Sequence, residues 1–244
     1  MDDSITHKQN PWMMLFIRIV LFILFQSLFA IGLGISGKAM PWAAGANWWP
    51  VSVTITNLVC VYLMARFFRS EGKQFWDIFR IRRDNLKSDL LAILGITIVI
   101  GPIGFFPNIW LGSLLFSDPQ VSLEMLIRPL PMWAVLFSLV AFPLTQGLAE
   151  LPTYFSYVMP RLEEQGMRSR LAVSLPALML GFQHCAVPLL FDLPFFTWRL
   201  LMYVPFAFAV GIVLHWRPRL LPYLAVIHVL MDASFAVMLL NSAF

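Results

Sequence analysis

Four ionisable side chains stand inside stretches that are otherwise apolar: Glu150, His184, His228 and Asp232. His228 and Asp232 fall in AVIHVLMDASFA, four residues apart, so one helix face carries both. Glu150 lies in TQGLAELPTYF and His184 in LGFQHCAVPLL. A charge at mid-membrane costs on the order of 3 kcal/mol on insertion scales, so such groups pair with one another or face a wet cavity. Carboxylates and imidazoles gathered in a dry cavity can activate water. The carboxylate takes its proton, an imidazole orients it or shares the proton, and a second imidazole holds the developing oxyanion. Acyl transfer to water, which is peptide hydrolysis, needs these parts and no phosphate loop. No serine stands in a nucleophile-elbow pattern and no H-E-x-x-H helix is present. Two histidines with a carboxylate are also a catalytic zinc set, so spacing leaves metal-free and divalent-metal versions open.

The segments that must position these groups are long and apolar. The 244-residue chain is 59% hydrophobic and 12% charged, against about half and about a quarter in soluble domains. The expected fold is all-α: a polytopic transmembrane helix bundle, one integral-membrane domain over 1–244. A span takes about 20 apolar residues, which predicts about seven, at 12–35, 49–68, 90–116, 131–158, 171–191, 196–216 and 221–241. The first run exceeds the roughly 7–15 residues of a signal-peptide core and reads as a retained span.

The net charge of +4 does not point to nucleic acid, because the bases sit in short blocks between apolar runs. Arg66, Arg69, Lys73, Arg80, Arg82, Arg83 and Lys87 form one block, Arg161, Arg168 and Arg170 another, and Arg217 with Arg219 a third. With seven spans these share one side, and only Lys38, Arg128 and Arg199 belong to the other. The excess places the N-terminus in the cytoplasm and the C-terminus outside, in a multi-pass protein of the cell membrane whose first partner is the lipid bilayer.

Arg18, near the start of the first span, is expected to snorkel to the interface. Arg161, with Glu163 and Glu164, reads as a solvated helix end. GKQFWDIFRIRR reads as an interfacial amphipathic helix. Cys60 and Cys185 lie in apolar runs and indicate no disulfide framework. At about 1.5 Å per residue the four buried groups lie about 12–20 Å from the basic side, one slab on three helices. Pro152 removes a backbone donor beside Glu150 and loosens its helix. The freed carbonyl argues for polar surroundings, to which Thr145, Gln146 and Tyr154 contribute.

With these residues in view, the region of about 130–240 resembles the CPBP family of membrane-embedded CAAX-protease and bacteriocin-processing, abortive-infection-like proteins. That family carries E-E-x-x-x-R on one helix, F-x-x-x-H on the next and H-x-x-x-N/D on a late one. Here Ala149-Glu150-Leu151-Pro152-Thr153-Tyr154 stands at the first and Leu180-Gly181-Phe182-Gln183-His184 at the second, while His228 to Asp232 matches the third in full. Ala149 replaces the leading glutamate, Tyr154 the arginine and Leu180 the aromatic. The resemblance implies an intramembrane endopeptidase acting on a membrane-associated protein or peptide. Glu150 and His184 would activate water; His228 and Asp232 would stabilise the oxyanion, orient the site or contact a metal such as zinc. The departures at Ala149 and Tyr154 leave open a non-proteolytic relative, a membrane scaffold or binding protein. Buried Glu, His and Asp also form proton relays, so a proton-coupled transporter is a third expectation, although no inverted repeat is evident.

Overall fold

The computed structural model describes residues 10–241, and no strand occurs among them. Ten α-helices follow in order: α1 (Pro11–Ile35), α2 (Pro41–Ala46), α3 (Trp49–Ser70), α4 (Leu86–Phe116), α5 (Pro119–Leu126), α6 (Met132–Leu151), α7 (Met159–Glu164), α8 (Ser169–Gln183), α9 (Leu193–Trp216) and α10 (Leu221–Asn241). Pro11, Pro41, Pro119 and others open helices where the missing N–H is not needed. Asn10, Asp118 and Asp192 cap their helices by accepting from Met13 N, Gln120 N and Phe195 N at 3.2, 2.8 and 2.8 Å.

Six helical segments are long and apolar enough to cross a membrane: Pro11–Ile35, Trp49–Ser70, Phe75–Phe116, Met132–Glu164, Leu193–Trp216 and Pro218–Leu240. Their outer faces stay apolar where they meet no other helix. On α4, Leu91, Leu94, Ile98 and Val99 are all exposed, a surface suited to hydrocarbon and costly in water. This is the architecture of a multi-pass helical membrane protein.

The stretch expected to span at 171–191 behaves differently. Its α-helix is 15 residues long and stops at Gln183, about 22 Å of rise and short of a full crossing. A 3-10 turn at His184–Ala186 follows, and Val187 is extended at φ −143, ψ 99. The residue before a proline is pushed out of the helical region, and Pro188 is that proline. Irregular backbone at membrane depth persists only where its polar groups find partners, and here they do. Arg199 donates to His184 O and Val187 O at 3.1 and 2.9 Å, and Gln26 and Trp42 donate to Leu189 O at 2.9 and 3.0 Å. Arg199, expected in a loop, is thus a buried member of α9 that caps the broken end of α8.

Two further expectations are corrected. The Phe75–Phe79 segment is one 3-10 turn rather than an amphipathic helix, closed by reciprocal capping between Gln74 and Asp77. It tucks Phe75 against Phe68 and leaves Trp76 outside. Arg161 is buried, not solvated. Its guanidinium grips both oxygens of Glu71, donates to Tyr157 O at 2.9 Å and lies 3.8 Å from the Tyr157 ring centroid. The long connection after α3 is thereby pinned to α7.

The apolar core comes in two parts. One gathers Met14, Met64, Tyr154, Leu162 and Leu180. The other gathers Phe22, Val53, Phe142, Ala186 and Trp198. Along α1, α3 and α6, the chain passes from one part to the other through a polar residue: Arg18, Asn57 and Gln146 respectively. Along α8 and the turn after it, Gln183 takes that place. The site lies in this seam.

Candidate active site

Glu150 ends the regular part of α6, and the next seven residues, Pro152–Val158, are π-helical. The wide turn is what Pro152 imposes by withholding a donor, and such bulges aim side chains that a regular helix would turn away. The Glu150 carboxylate is buried at the centre of a polar cluster. Its Oε2 accepts from Gln146 Nε2 at 2.6 Å and Gln183 Nε2 at 2.7 Å. The Arg18 guanidinium stands 3.5 Å from the same oxygen.

Arg18 does not snorkel. It is wholly buried, donating from Nε to Gln183 Oε1 at 2.6 Å, from Nη1 to Asn57 Oδ1 at 2.7 Å and from Nη2 to Gln146 Oε1 at 3.2 Å. Asn57 in turn donates to Gln146 Oε1 and Thr145 Oγ1 at 2.9 and 3.1 Å, and Tyr154 OH donates to Gln183 Oε1 at 3.1 Å. Four helical segments thus supply one charge pair and the amides that fix it. Tyr154, at the position where the resemblance expects arginine, joins this network. The guanidinium comes instead from α1. Ala149 is fully buried and adds no second carboxylate.

The histidines approach Glu150 from two sides. His184 Nε2 is 3.8 Å from Glu150 Oε2, and His228 Nε2 is 3.5 Å from Oε1. His184 Nδ1 is 2.8 Å from Leu180 O, which can only accept, so Nδ1 carries hydrogen and Nε2 presents a lone pair to the carboxylate in the neutral ring. The ring stacks on Tyr203 at 3.6 Å, and the Tyr203 hydroxyl accepts from Arg199 at 3.2 Å. His228 Nε2 also lies 3.3 Å from Asp232 Oδ2, one turn along α10. The buried His228 Nδ1 has no hydrogen-bond partner among the described residues.

Two glycines set these distances. A Cβ on Gly147 would stand 2.5 Å from Val229 Cγ2 and 2.9 Å from Ala225 O, so its hydrogen lets α6 and α10 close and brings His228 to Glu150. A Cβ on Gly181 would stand 2.5 Å from Val204 Cγ2, so the same device seats α8 on α9 and His184 on Tyr203.

Beside His228 an apolar cavity of about 330 Å³ opens between α4, α9 and α10. Ile100, Phe105, Leu151, Phe206 and Met231 are in its wall with His228, and Phe105 and Met231 are exposed. Glu150, His184, His228 and Asp232 are therefore brought together, and of the four His228 lines the apolar cleft. Among the described residues no three His, Cys, Asp or Glu side chains form a metal-holding group, and Glu150 Oε2 already faces a guanidinium and two amide donors.

No family model, curated protein or solved structure matches the chain.

The residues that sequence reasoning placed elsewhere are Arg18 and Arg199, and it passed over Asn57 and Tyr203. Arg18 carried a signal: with seven apolar residues before it from Pro11 to Ile17, it starts about two turns inside its helix, deep enough to need a partner. Asn57, in the middle of an apolar span, carried a weaker one. Nothing in the sequence marks Tyr203, whose role is a stacking contact.

Proposed function

We propose that this protein is an intramembrane hydrolase that cleaves a peptide bond in a membrane-associated protein or peptide. The observation that carries the reading is the Glu150 carboxylate set between two imidazoles, one of which walls an apolar cleft and keeps a ring nitrogen without a partner. The gap of 3.8 Å between His184 Nε2 and Glu150 Oε2 is too long for a direct hydrogen bond and holds two facing acceptors. A water donating to both would be oriented for attack.

In the reaction, the water oxygen bonds to the substrate's carbonyl carbon and Glu150 takes the proton. The carbonyl electrons move to oxygen, where His228 as an imidazolium donates from Nδ1 to the oxyanion while its Nε2–H faces Asp232, which steadies the ring. The C–N bond then breaks and the amine leaves with the proton held by Glu150. The substrate reaches the site from the lipid through the cleft between α4 and α10. The resemblance to CPBP proteins supports the same assignment through the Glu150, His184 and His228–Asp232 segments.

The 169–192 segment makes a seventh crossing as a 15-residue helix followed by a 3-10 turn and irregular chain, and the N-terminus lies in the cytoplasm of a cell-membrane protein. The excess of Lys and Arg at the 66–89, 159–170 and 216–220 turns supports that orientation.

The test compares protein N-termini in membranes from cells carrying the wild type, Glu150→Gln at matched expression, or a deletion. Termini lost equally in the variant and the deletion support the hydrolase and name its substrate. A full set of termini in the Glu150→Gln cells, with termini missing in the deletion, overturns it and leaves the scaffold.

A further inference from the structure

The end of the bundle opposite the basic loops carries few bases. Two of them, Lys38 and Arg128, wall one cavity of about 430 Å³, set between α2, the C-terminal end of α5 and the 188–190 segment. No Asp or Glu shares that wall. Both side chains are exposed, and neither makes a side-chain hydrogen bond or ion pair among the described residues. The rest of the wall is mostly apolar, with Met40, Leu126 and Leu190, and Asn47 adds one amide. Tryptophans ring the same level: Trp42 stacks on exposed Phe191 at 5.6 Å, and Trp48 meets exposed Trp133 at 5.6 Å. Such aromatics mark the headgroup level of a bilayer.

We propose that this cavity binds the phosphate of an anionic phospholipid between Lys38 and Arg128, with the first methylenes of its chains on Met40, Leu126 and Leu190. Two uncompensated cations beside an apolar wall at headgroup depth match an amphiphilic anion, and basic pockets between membrane helices hold such headgroups. A zwitterionic lipid brings an ammonium that finds no carboxylate in the wall. Free phosphate brings the charge but leaves the apolar wall uncovered. The site does not depend on the hydrolase reading, and binding is read without any activity.

The experiment uses the full chain purified in an uncharged detergent, its thermal unfolding followed with dihexanoyl phosphatidylglycerol, dihexanoyl phosphatidylcholine or inorganic phosphate added. The wild type is expected to show a saturable rise in unfolding temperature with the anionic lipid. Phosphatidylcholine should act at least tenfold more weakly, and phosphate should give no rise at the same concentrations. Lys38→Gln/Arg128→Gln should weaken the anionic lipid at least tenfold, and Lys38→Arg should keep it. An undiminished response in the double variant overturns the site. Equal responses to the two lipids overturn the charge recognition, and a phosphate response equal to the lipid's overturns the lipid as ligand. Should the double variant unfold early, Arg128→Gln alone is read in the same titration: at least a threefold loss is expected, and no loss overturns the proposal.

Discussion

On the α1 side of Glu150, the buried polar atoms nearest the carboxylate are tied. Arg18 spends three nitrogens on Gln183, Asn57 and Gln146, and the two glutamines return their amides to Oε2. On the α10 side, His228 reaches its carboxylates only at 3.3–3.5 Å and leaves Nδ1 with nothing. Buried polar groups are normally satisfied, and one that is not marks strain, a missing water or a working group. The contrast teaches a division of labour. The α1 side holds a carboxylate in place at membrane depth; the α10 side leaves hydrogen-bonding capacity unused among the described residues, where the proposed reaction would need it.

The sharpest way to break that contrast is to remove Arg18. Arg18→Met leaves Glu150 buried with its two amides and no counter-charge. Removing one partner of a buried pair destabilises by about 3–5 kcal/mol, and removing both recovers much of the loss. Arg18→Met should therefore unfold far below the wild type in detergent, and Arg18→Met/Glu150→Gln above the single variant. If the double variant is as unstable as the sum of the two single ones, Arg18 and Glu150 do not act as a pair.

Next comes the seam between the halves. Gly147→Ala places a methyl 2.5 Å from Val229 Cγ2 and must spread α6 from α10. Overpacking of this kind costs about 1–3 kcal/mol. Val229→Ala in the same chain removes the side-chain clash but not the 2.9 Å approach to Ala225 O, so it should restore part of the stability and part of any cleavage that Gly147→Ala abolishes. Cleavage that survives Gly147→Ala unchanged would mean that the approach of His228 to Glu150 is not needed.

The third variant separates holding from working. His228→Ala removes polar contacts no shorter than 3.3 Å, so the polar share of its stability loss is expected at about 0.5–1.5 kcal/mol, the range of a net hydrogen bond. Turnover of the substrate named by the N-terminal comparison should fall about 10²–10³-fold, as when one oxyanion donor is lost. A large stability loss with unchanged turnover would reverse the roles assigned to the two sides.

How much of this was legible in the sequence follows from the same division. Glu150, His184, His228 and Asp232 stand out because hydrocarbon makes ionisable groups conspicuous, and i, i+4 spacing fixes a shared face without any fold. The long helices were legible because apolar length is a direct requirement of the bilayer. Arg18 misled because an arginine's reach toward the interface is computed from its own helix. Its actual partners, Asn57, Gln146 and Gln183, come from three other segments whose rotation no single sequence gives. The break at His184 was half visible in Pro188. What completes it, Arg199 capping two carbonyls from α9, is a tertiary contact. Arg161 escaped for the same reason: its partner Glu71 is 90 residues away.

The smallest expected effect calibrates the others. Arg80 and Asp77 are 3.8 Å apart with both side chains more than half exposed, an ion pair of the same formal kind as Arg18 with Glu150. Solvent screens it, and ordering two free side chains offsets most of its attraction, so Arg80→Ala should change stability by no more than about 0.5 kcal/mol. The comparison with Arg18→Met then sets a buried guanidinium held by three hydrogen bonds against a solvated one, since both variants delete one guanidinium facing one carboxylate. Raising the salt concentration should leave the Arg18→Met deficit unchanged and erase whatever small deficit Arg80→Ala shows. A salt-sensitive Arg18→Met deficit would mean that water and ions reach the seam, and that the α1 side is open as well.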